Sequence, residues 1–424
     1  MSSGPFTNAE GYEQALALDE ADPLASYRDR FVITDPELIY LDGNSLGRLP
    51  KAASSIVDDV TNRQWGERLI RSWNESWWDL QLTIGDQLSP IVGAQAGEVI
   101  VSDSTSVNIY KLALAALDAR PDRSKIVTDD LNFPTDVHIL QGIATRTGHR
   151  LQIVESEGIL GPVKQLEEAI DEDTALVSLS HTVFKSGFTY NLKDITTLAR
   201  EAGALVLWDC SHSAGVVPID FTAAGVDLAV GCTYKYLNGG PGSPAWLYVR
   251  AGLQDQLSNP ITAWWGHAQP FEFDLDFEAV SGIRRFHTGT MPILSLATIE
   301  AGVAIVLDAG MDQIRKKSML LTQYLIGQVE THLASRGFGL VSPRDPEARG
   351  SHISISHQGA WPITQALINT ADVVPDFRTP DSIRFGLAPL YNTFVEAHTA
   401  IQRLCEVIES GSHLQYATAT AWVT

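Results

Sequence analysis

The sequence predicts an α/β protein whose larger part is a mostly parallel β-sheet covered by helices on both faces. Three observations predict it: short β-rich runs recur through the middle of the chain, helical patterns separate them, and 424 residues exceed one simple core. A sheet of this kind binds its ligands at the carboxyl ends of its strands. That edge is therefore where functional residues are expected.

Six candidate strands and three candidate helices make up this alternation. The strand candidates are 98–101, 126–128, 151–154, 175–179, 204–209 and 228–230. The helix candidates are 104–117, 163–169 and 192–202. Because the helix candidates lie between strands, they are suited to the crossover connections that a parallel sheet requires.

The chain is predicted to divide into a large domain and a smaller α+β domain. Residues 1–49 are predicted to form an N-terminal arm that joins the small domain, since a strand runs into a turn at 40–47 and Pro50 begins a helix. Residues 50–295 form the large domain and residues 296–424 the small C-terminal domain. After a helical stretch to about Gly327, the small domain has strand candidates at 339–341, 352–356 and 383–385 and a last helix near 393–410.

Composition and charge exclude several classes of protein. With 44% hydrophobic and 19% charged residues, the chain has an ordinary globular composition. Its net charge of −21, from 30 Lys+Arg against 51 Asp+Glu, argues against nucleic-acid binding. Residues 1–6 carry no secretory signal and no apolar segment reaches the ~18–20 residues of a membrane span, so we expect a cytoplasmic protein without a membrane partner.

The cysteines and histidines show no pattern typical of a metal site. Cys210, Cys232 and Cys405 cannot all pair in disulfides, and buried core thiols are the favoured interpretation. The 11 histidines lack a His-Glu-x-x-His or comparable spacing. We therefore expect no metal site.

Lys235 is the most informative residue, because it lies in the Gly-rich loop 231–242, where a solvated surface charge is not expected. Upstream of it, an apolar strand candidate ends on Asp209. Pyridoxal phosphate enzymes need such a pair: the lysine forms a Schiff base, and the carboxylate keeps the pyridine nitrogen protonated. A lysine paired with a phosphate or with a structural carboxylate is the alternative, and this pair alone does not decide between the two.

Two strand-to-helix turns carry further candidates for ligand binding. Ser104, Thr105 and Ser106 open a helix, and a helix N-terminus is suited to binding phosphate, although capping alone explains one hydroxyl. In the second turn, Phe133 is suited to stacking on a planar ring and Asp136 to accepting a hydrogen bond from it. A core phenylalanine beside a capping residue is the alternative.

Three other candidates have a structural and a functional interpretation each, and a fourth, Trp264, has a structural one. His212, just after Asp209, either meets the same ring or satisfies a backbone carbonyl, and Tyr234 is either a proton donor or phosphate ligand or a packed aromatic. Arg384 lies mid-strand, where an unpaired charge is costly, so it needs a bidentate acceptor: a substrate carboxylate or an internal salt bridge. The aromatic loop at Trp264 is suited to hydrophobic packing at a subunit contact.

Beyond these single residues, the chain resembles the kynureninases, the pyridoxal phosphate enzymes of tryptophan catabolism. Four stretches carry the resemblance: 40–47, 132–136, 208–215 and 231–242. The last is close to diagnostic, because the wider aminotransferase-like class shares the lysine but not Tyr-Lys-Tyr-Leu-Asn-Gly-Gly-Pro-Gly. The resemblance implies pyridoxal phosphate-dependent fold type I, a homodimer with active sites at the subunit interface, and hydrolysis of L-kynurenine to anthranilate and L-alanine.

The resemblance also implies a role for each matching residue. Lys235 would form the Schiff base, with Asp209 at the pyridine nitrogen and Phe133 stacked on the ring; Tyr234 is the candidate proton donor. The other cofactor contacts implied are Thr105, Ser106, Asp136, Ser180, His212 and Tyr234 and, from the neighbouring subunit, Trp264 and Thr290. Arg384 would bind the substrate carboxylate, with Asn44 and Ser45 as further substrate contacts.

Thr290 stands where animal members commonly carry Asn, which resembles the bacterial subgroup that favours kynurenine over 3-hydroxykynurenine. A cysteine desulfurase, which shares the fold, is the alternative activity. That chemistry needs a mobile nucleophilic cysteine, whereas Cys405, the only cysteine of the C-terminal half, lies in a helical pattern. A catalytically silent scaffold is the remaining alternative, and the Lys235–Asp209 pair argues against it.

Overall fold

The computed structural model describes residues 8–417. Thirteen β-strands lie within this range: β1 Ile39–Tyr40, β2 Val99–Val101, β3 Lys125–Asp129, β4 Arg150–Val154, β5 Thr174–Ser180, β6 Leu205–Asp209, β7 Leu228–Gly231, β8 Trp246–Val249, β9 Gly339–Leu340, β10 His352–Ser356, β11 Val373–Val374, β12 Asp376–Arg378 and β13 Ser382–Gly386. They form one large sheet, one smaller sheet and one isolated pair.

The same range contains fourteen α-helices: α1 Asn8–Glu20, α2 Lys51–Asp59, α3 Leu80–Leu88, α4 Thr105–Asp118, α5 Pro134–Thr147, α6 Val163–Ala169, α7 Leu192–Glu201, α8 Phe221–Ala224, α9 Ala251–Gln254, α10 Ile293–Ala297, α11 Ile299–Ala309, α12 Met311–His332, α13 Ala360–Thr370 and α14 Phe394–Ser410. Short 3₁₀-helices span Ala25–Arg30, Leu69–Arg71, Ser89–Ile91, Trp264–Gly266, Ile283–Phe286, Ala334–Arg336 and Ser412–Tyr416. Two segments between α2 and α3, Val60–Arg68 and Trp73–Trp77, are wound as π-helix.

The large sheet has seven strands in the order β2-β8-β7-β6-β5-β3-β4. Strand β8 runs antiparallel to both of its neighbours, β2 and β7, and the remaining pairs are parallel. Ser180 at the end of β5 lies beside Asp209, and Asp209 lies beside Val230 of β7. The carboxyl ends of the central strands therefore meet at one edge.

The central strands are buried on both faces, as their nearly continuous apolar sequence predicts. Successive residues of β6 point into different cores: Val206 and Trp208 pack with α7, whereas Leu205 and Leu207 pack with α4 and α5. Asp209, the last residue of β6, is the polar exception. The one ionisable side chain of β6 therefore lies at the carboxyl edge of the sheet.

The smaller body is built on an antiparallel sheet of order β12-β13-β10-β9. Its core unites apolar residues of that sheet with α12, α13 and α14, among them Ile355, Phe385 and Leu404. The N-terminal segment lies on this body, because α1 packs on α14 and β1 pairs in parallel with β11.

The strands predicted from the sequence agree with the structure. Each of the six middle candidates corresponds to one strand from β2 to β7, with ends that differ by at most one residue. Strand β8 was not predicted, because it follows the Gly-rich loop with no intervening helix to mark it. The α/β class with a mostly parallel sheet follows from the six strands that were found.

Helix α11 lies on the large body, although the sequence assigned the residues from 296 onward to the small domain. Its buried residues Ile299, Val303 and Val306 belong to the core of the large sheet, because the helix packs on α2 and α3. Gly310, with a φ of 76°, separates α11 from α12. This packing favours a domain boundary at Gly310.

Among residues 8–417, none of the helices is individually long and apolar enough to cross a membrane. One pair, Ile293–Ala309 and Met311–His332, reaches that length and composition only when taken together, and the pair is bent by 85°. Residues 1–6, where no targeting signal was expected, lie outside the described range, as do residues 418–424.

Candidate active site

A cavity of about 350 Å³ opens at the carboxyl edge of the large sheet, against the small body. It is lined by Asn44, Ser45, Thr105, Ser106, Phe133, Thr135, Asp136, Asp209, Ser211, His212, Tyr234, Lys235, Arg378 and Arg384. Most residues that the sequence singled out therefore meet in one place. Three of them, Ser180, Trp264 and Thr290, do not line this cavity.

Lys235 projects into the cavity from the loop that follows β7. Its Nζ lies 3.1 Å from His212 Nε2 and 5.9 Å from the centre of the Phe133 ring. Burial, and next the charge of Lys235, hold the pKa of His212 well below its usual range. His212 is therefore a neutral imidazole that can accept a hydrogen bond from the lysine.

The backbone of the N-terminal segment touches the lysine loop at Gly47. Its N–H donates to the carbonyl of Tyr234 at 2.8 Å. A Cβ atom at position 47 would lie 2.3 Å from the carbonyl oxygen of Lys235, closer than any side chain is tolerated. Glycine is therefore required here for close approach of two backbones.

Asp209 and Asp136 form a buried carboxyl pair beside Lys235. Asp209 Oδ1 accepts hydrogen bonds from the backbone N–H of Ser211 at 2.9 Å and from its hydroxyl at 2.6 Å. Burial raises the pKa of both carboxyls, and for Asp136 the repulsion from Asp209 adds to it, while Lys235 opposes the shift in both. Because the two acids are in hydrogen-bond contact, Asp136 holds a proton and Asp209 is the carboxylate that faces the ammonium of Lys235.

The N-terminus of α4 forms another wall of the cavity. The hydroxyl of Ser104 caps the helix by accepting from Val107 N at 3.3 Å, and Thr105 and Ser106 follow with hydroxyls that face the cavity. The phenol of Tyr234 lies in the same cavity, and the nearby Cys232 together with burial raises its pKa, so it keeps its proton. This wall offers N–H and O–H donors suited to a phosphate.

Arg384 forms the opposite end of the cavity, and both interpretations of it apply. It is 1% exposed, donates to the carbonyl of Phe184 at 2.6 Å and to Ser45 Oγ at 2.9 Å, and is ion-paired with Asp376. The internal salt bridge therefore exists, and the guanidinium still lines the cavity. A second guanidinium, Arg378, pairs with the same carboxylate at 2.6 Å.

Ser180, Trp264 and Thr290 lie outside the lining of the cavity. Ser180 is buried and donates to Asn132 Oδ1 at 2.6 Å, so it supports the turn that carries Phe133. Trp264 is 40% exposed within an aromatic cluster that includes Trp78. Thr290 is exposed in the loop before α10.

Three residues of the cavity wall were not selected from the sequence: Thr135, Ser211 and Arg378. The first two lie inside stretches that the sequence did single out, beside Asp136 and His212. The signal for Arg378 was the alternation Asp376-x-Arg378, which places two opposite charges on one face of a strand. It was missed because β12 is only three residues long.

Named proteins resemble the chain along nearly its whole length. It is 43% identical to "Kynureninase" of Pseudomonas fluorescens over 401 residues, which cover 93% of this chain and 94% of that protein. It is 42% identical to "Kynureninase" of Burkholderia pseudomallei (strain 1106a) over 405 residues, which cover 94% and 95%. The Kynureninase C-terminal domain family matches residues 314–404. The chain belongs to the kynureninase family.

Solved structures confirm the fold class predicted for this kynureninase family member. The apo cysteine desulfurase of Thermococcus onnurineus NA1 superposes with a TM-score of 0.78 at 19% identity, covering 91% of this chain and 98% of that one. The K223A variant of C-DES, with glycine covalently linked to its PLP cofactor, superposes with a TM-score of 0.78 at 18% identity, covering 88% and 97%. At such identities the likeness establishes the fold alone.

The fold is shared with desulfurases, but the cysteine that their chemistry would require here is poorly placed. Cys405 lies in α14 with 7% of its surface exposed, packed in the core of the small body. Burial raises the pKa of its thiol, which disfavours the nucleophilic thiolate. Across the described residues, no group of three His, Cys, Asp or Glu side chains is arranged to hold a metal ion.

Proposed function

We propose that this chain is a pyridoxal phosphate-dependent hydrolase that converts L-kynurenine and water to anthranilate and L-alanine. The observation that carries the proposal is the meeting of Lys235, Asp209 and Arg384 in one cavity of a kynureninase family chain. A lysine for covalent attachment, a carboxylate for a ring nitrogen and a guanidinium for a carboxylate are the groups that this chemistry requires.

The residues of the cavity fit the cofactor. Asp209 offers a buried carboxylate beside Lys235, which a protonated pyridine nitrogen can face. Phe133, 37% exposed, offers a ring face, and the start of α4 with Thr105 offers donors for the phosphate. Bound there, pyridoxal phosphate supplies an electron sink for negative charge that develops on the substrate carbons.

Lys235 has two tasks in this proposal. It is the covalent attachment point of the cofactor and, once replaced by the substrate amine, its free amine moves the proton at the substrate α-carbon. The neutral His212, 3.1 Å away, accepts a hydrogen bond from the ammonium form and so keeps the Nζ directed into the cavity. Positioned acid–base groups of this kind each contribute ~10²–10⁴-fold.

Cleavage of the Cβ–Cγ bond needs water at the γ-carbonyl and a proton for the β-carbon of the leaving alanine. Tyr234 is the candidate donor of that proton, because its phenol faces the cavity and its raised pKa keeps it protonated. Arg384 binds the α-carboxylate, with Asn44 and Ser45 beside it. The carboxylate contact fixes which end of the substrate faces Lys235.

A homodimer completes the cavity in this proposal. Trp264 and Thr290 do not line the cavity of their own chain, and the segment between them exposes large apolar side chains: Phe271 at 65%, Phe273 at 79% and Leu275 at 98%. An apolar surface of this kind marks a protein contact. A second copy that covers it would receive Trp264 and Thr290 at its own cavity. The expected cytoplasmic location stays a prediction.

Leu294→Glu should separate the dimer and lower activity, because Leu294 lies on α10, just beyond Thr290, and is 42% exposed. A charge in an apolar contact is left without a partner when the contact forms. Light scattering coupled to size-exclusion chromatography measures the mass of both forms. Leu160→Glu, at a residue that is 47% exposed, is the matched control and should stay dimeric. A wild-type protein of monomer mass that is fully active would refute the dimer.

The wild-type enzyme should release anthranilate from L-kynurenine and use 3-hydroxykynurenine less well. Thr290 offers no amide to a ring hydroxyl, and a polar group left unpaired costs ~1–3 kcal/mol. Thr290→Asn should therefore shift the ratio of kcat/KM toward 3-hydroxykynurenine by ~5-fold or more. Anthranilate fluorescence and substrate absorbance measure both rates.

Thr290→Val is the matched control for this experiment, since it keeps the shape of the side chain and adds no amide. It should leave the preference for kynurenine in place. A wild type that prefers 3-hydroxykynurenine contradicts the assignment of substrate preference, whereas failure to hydrolyse either substrate contradicts the proposed function itself.

A further inference from the structure

The substrate end of the cavity contains a compact network of opposite charges. Asp376 of β12 pairs with Arg378 at 2.6 Å and with Arg384 of β13. The hydroxyl of Ser45 accepts from Arg384 Nη2 at 2.9 Å and donates to Asp376 Oδ2 at 3.3 Å. The guanidinium that would bind a substrate carboxylate is therefore already engaged by a carboxylate of the protein.

Asp42 adds a second carboxylate to this network. It follows β1 and bridges to Gly386 at the end of β13. Asn44, which is fully buried, links it to the arginine: in the orientation that satisfies both ends of the amide, Asn44 donates to Asp42 Oδ1 at 3.3 Å and accepts from Arg384 Nε at 2.9 Å. The network thus contains two carboxylates and two guanidiniums.

Among the four charged groups of this network, the charges cancel while no substrate is bound. With Asp42 and Asp376 both ionised, their charges cancel those of Arg378 and Arg384. A substrate carboxylate at Arg384 would bring a third negative charge into the same partly buried space. A like charge at this range favours the neutral form of a carboxyl group.

We propose that Asp42 takes up one proton from solvent when the α-carboxylate of the substrate binds at Arg384, and releases it when the product carboxylate leaves. This inference rests on the proposed role of Arg384 as the carboxylate site. Asp42 does not touch the substrate; it acts through Asn44 and Ser45, so it is a positioning residue that sets the charge of the site.

The properties of Asp42 suit this task. Burial, and next the repulsion from Asp376, raise its pKa to about 6, although Arg384, Ser45 and Arg378 favour its ionised form. The group is therefore mostly ionised in the free protein at pH 7 and needs only a modest further rise to be protonated. Asp42 is also linked to Arg384 through the amide of Asn44.

Three phenols near Asp42 stay neutral between pH 5 and 8. Burial raises the pKa of Tyr40, Tyr236 and Tyr391, so these phenols keep their protons. The titratable and charged groups that face Asp42 are Tyr40 and Arg48 of its own segment, Asp376 and Arg378 of β12, Arg384 of β13, Tyr391 of the loop before α14 and Tyr236 of the lysine loop.

The sign of the pH dependence follows from the two states. Above pH 6 the free protein carries an ionised Asp42, and the complex carries a protonated one. Binding therefore takes up a proton, and affinity falls as pH rises, by up to ~10-fold per pH unit for one proton. Asp42→Asn is neutral in both states, so its affinity should not depend on pH through this group.

The test is calorimetric titration of the holoenzyme with 4-oxo-4-phenylbutanoate, a carboxylate that lacks the α-amine and so cannot react with the cofactor. Titrations at pH 7.5 in buffers of different ionisation enthalpy give the number of protons taken up. The wild type should take up between ~0.5 and 1 proton and lose affinity from pH 6.5 to 8. Asp42→Asn should take up none and bind with pH-independent affinity, while the cofactor absorbance at each pH reports the Lys235 linkage separately.

Asp118→Asn is the matched control, because Asp118 is an exposed carboxylate at the far end of α4, ~20 Å from the residue of that helix that lines the cavity. It should show the wild-type proton uptake. Proton uptake that persists in Asp42→Asn overturns the inference. A wild type whose binding heat does not depend on the buffer also overturns it, and this measurement needs no variant.

Arg384→Met separates this inference from the function on which it rests. The variant should lose binding of the probe by ~10-fold or more. Wild-type affinity in Arg384→Met would overturn the carboxylate site itself, and the inference with it. Loss of binding in Arg384→Met together with unchanged uptake in Asp42→Asn overturns the inference alone.

Discussion

Replacing Lys235 with alanine should lower kynurenine turnover by more than ~10⁴-fold, because in the proposed function one change removes both the covalent attachment point and the group that moves the α-proton. Among the described residues, Lys235 is the single lysine of the cavity wall. The folded variant should still bind pyridoxal phosphate weakly through the α4 N-terminus and Phe133. The measurement is kcat together with the visible absorption of the lysine–cofactor linkage, which borohydride bleaches in the wild type.

Lys164→Ala is the matched control for this variant. Lys164 is an exposed lysine of α6, so its loss removes the same charge without touching the cavity. The control should keep both the absorption band and the wild-type kcat. A Lys235→Ala protein that retains the band and turns over normally would show that another group binds the cofactor.

Asp209→Asn should reduce kcat by ~10²–10³-fold, in line with the ~3–4 kcal/mol that one electrostatic partner contributes in a dry site. The amide cannot stabilise a positive ring nitrogen as the carboxylate does, so proton removal at the α-carbon should slow most. Exchange of the α-proton of L-alanine in heavy water, followed by NMR, isolates that step. Exchange at the wild-type rate would contradict the role of Asp209.

The same variant should not lose stability without the cofactor. The amide oxygen can still accept both hydrogen bonds from Ser211, and one of two buried acids is gone. Because the pKa of Asp209 is raised in the folded protein, its ionisation costs stability above the pKa of the unfolded chain, near 4. The melting temperature of the apo variant should therefore match or exceed that of the apo wild type at pH 7. The difference in melting temperature should be larger at pH 7 than at pH 4. Asp122→Asn, at an exposed carboxylate, is the control.

The features that depend on a local sequence pattern could be predicted. The apolar strands of the large sheet have a period and length that one segment reveals by itself, and Asp209 and Lys235 stand out because charged residues interrupt apolar or Gly-rich stretches. Phe133 and Asp136 were found by a different local signal, since Phe133 is the N-cap of a helix that follows a strand and Asp136 lies in the first turn of that helix. These features are carried by neighbours in sequence, so a single chain displays them.

The features that could not be predicted depend on contacts between residues far apart in the chain. Arg378 contributes because it pairs with Asp376 while Arg384 lies on the neighbouring strand β13. The three residues of β12 do not reveal that β12 pairs with β13. The neighbours of helix α11 could not be predicted because its apolar pattern fits either core, and it packs on α2 and α3. The internal partner of Arg384 stayed open for the same reason.

The close approach at Gly47 makes the segment 42–47 a spacer of fixed length between the two bodies. One end is fixed at Gly386 of the small body, and the other at the carbonyl of Tyr234 beside Lys235. The distance between the carboxylate site and the lysine amine is thereby set by six residues of backbone held at both ends. Substrates whose amine and carboxylate stand one carbon further apart should therefore not reach Lys235 and Arg384 at once.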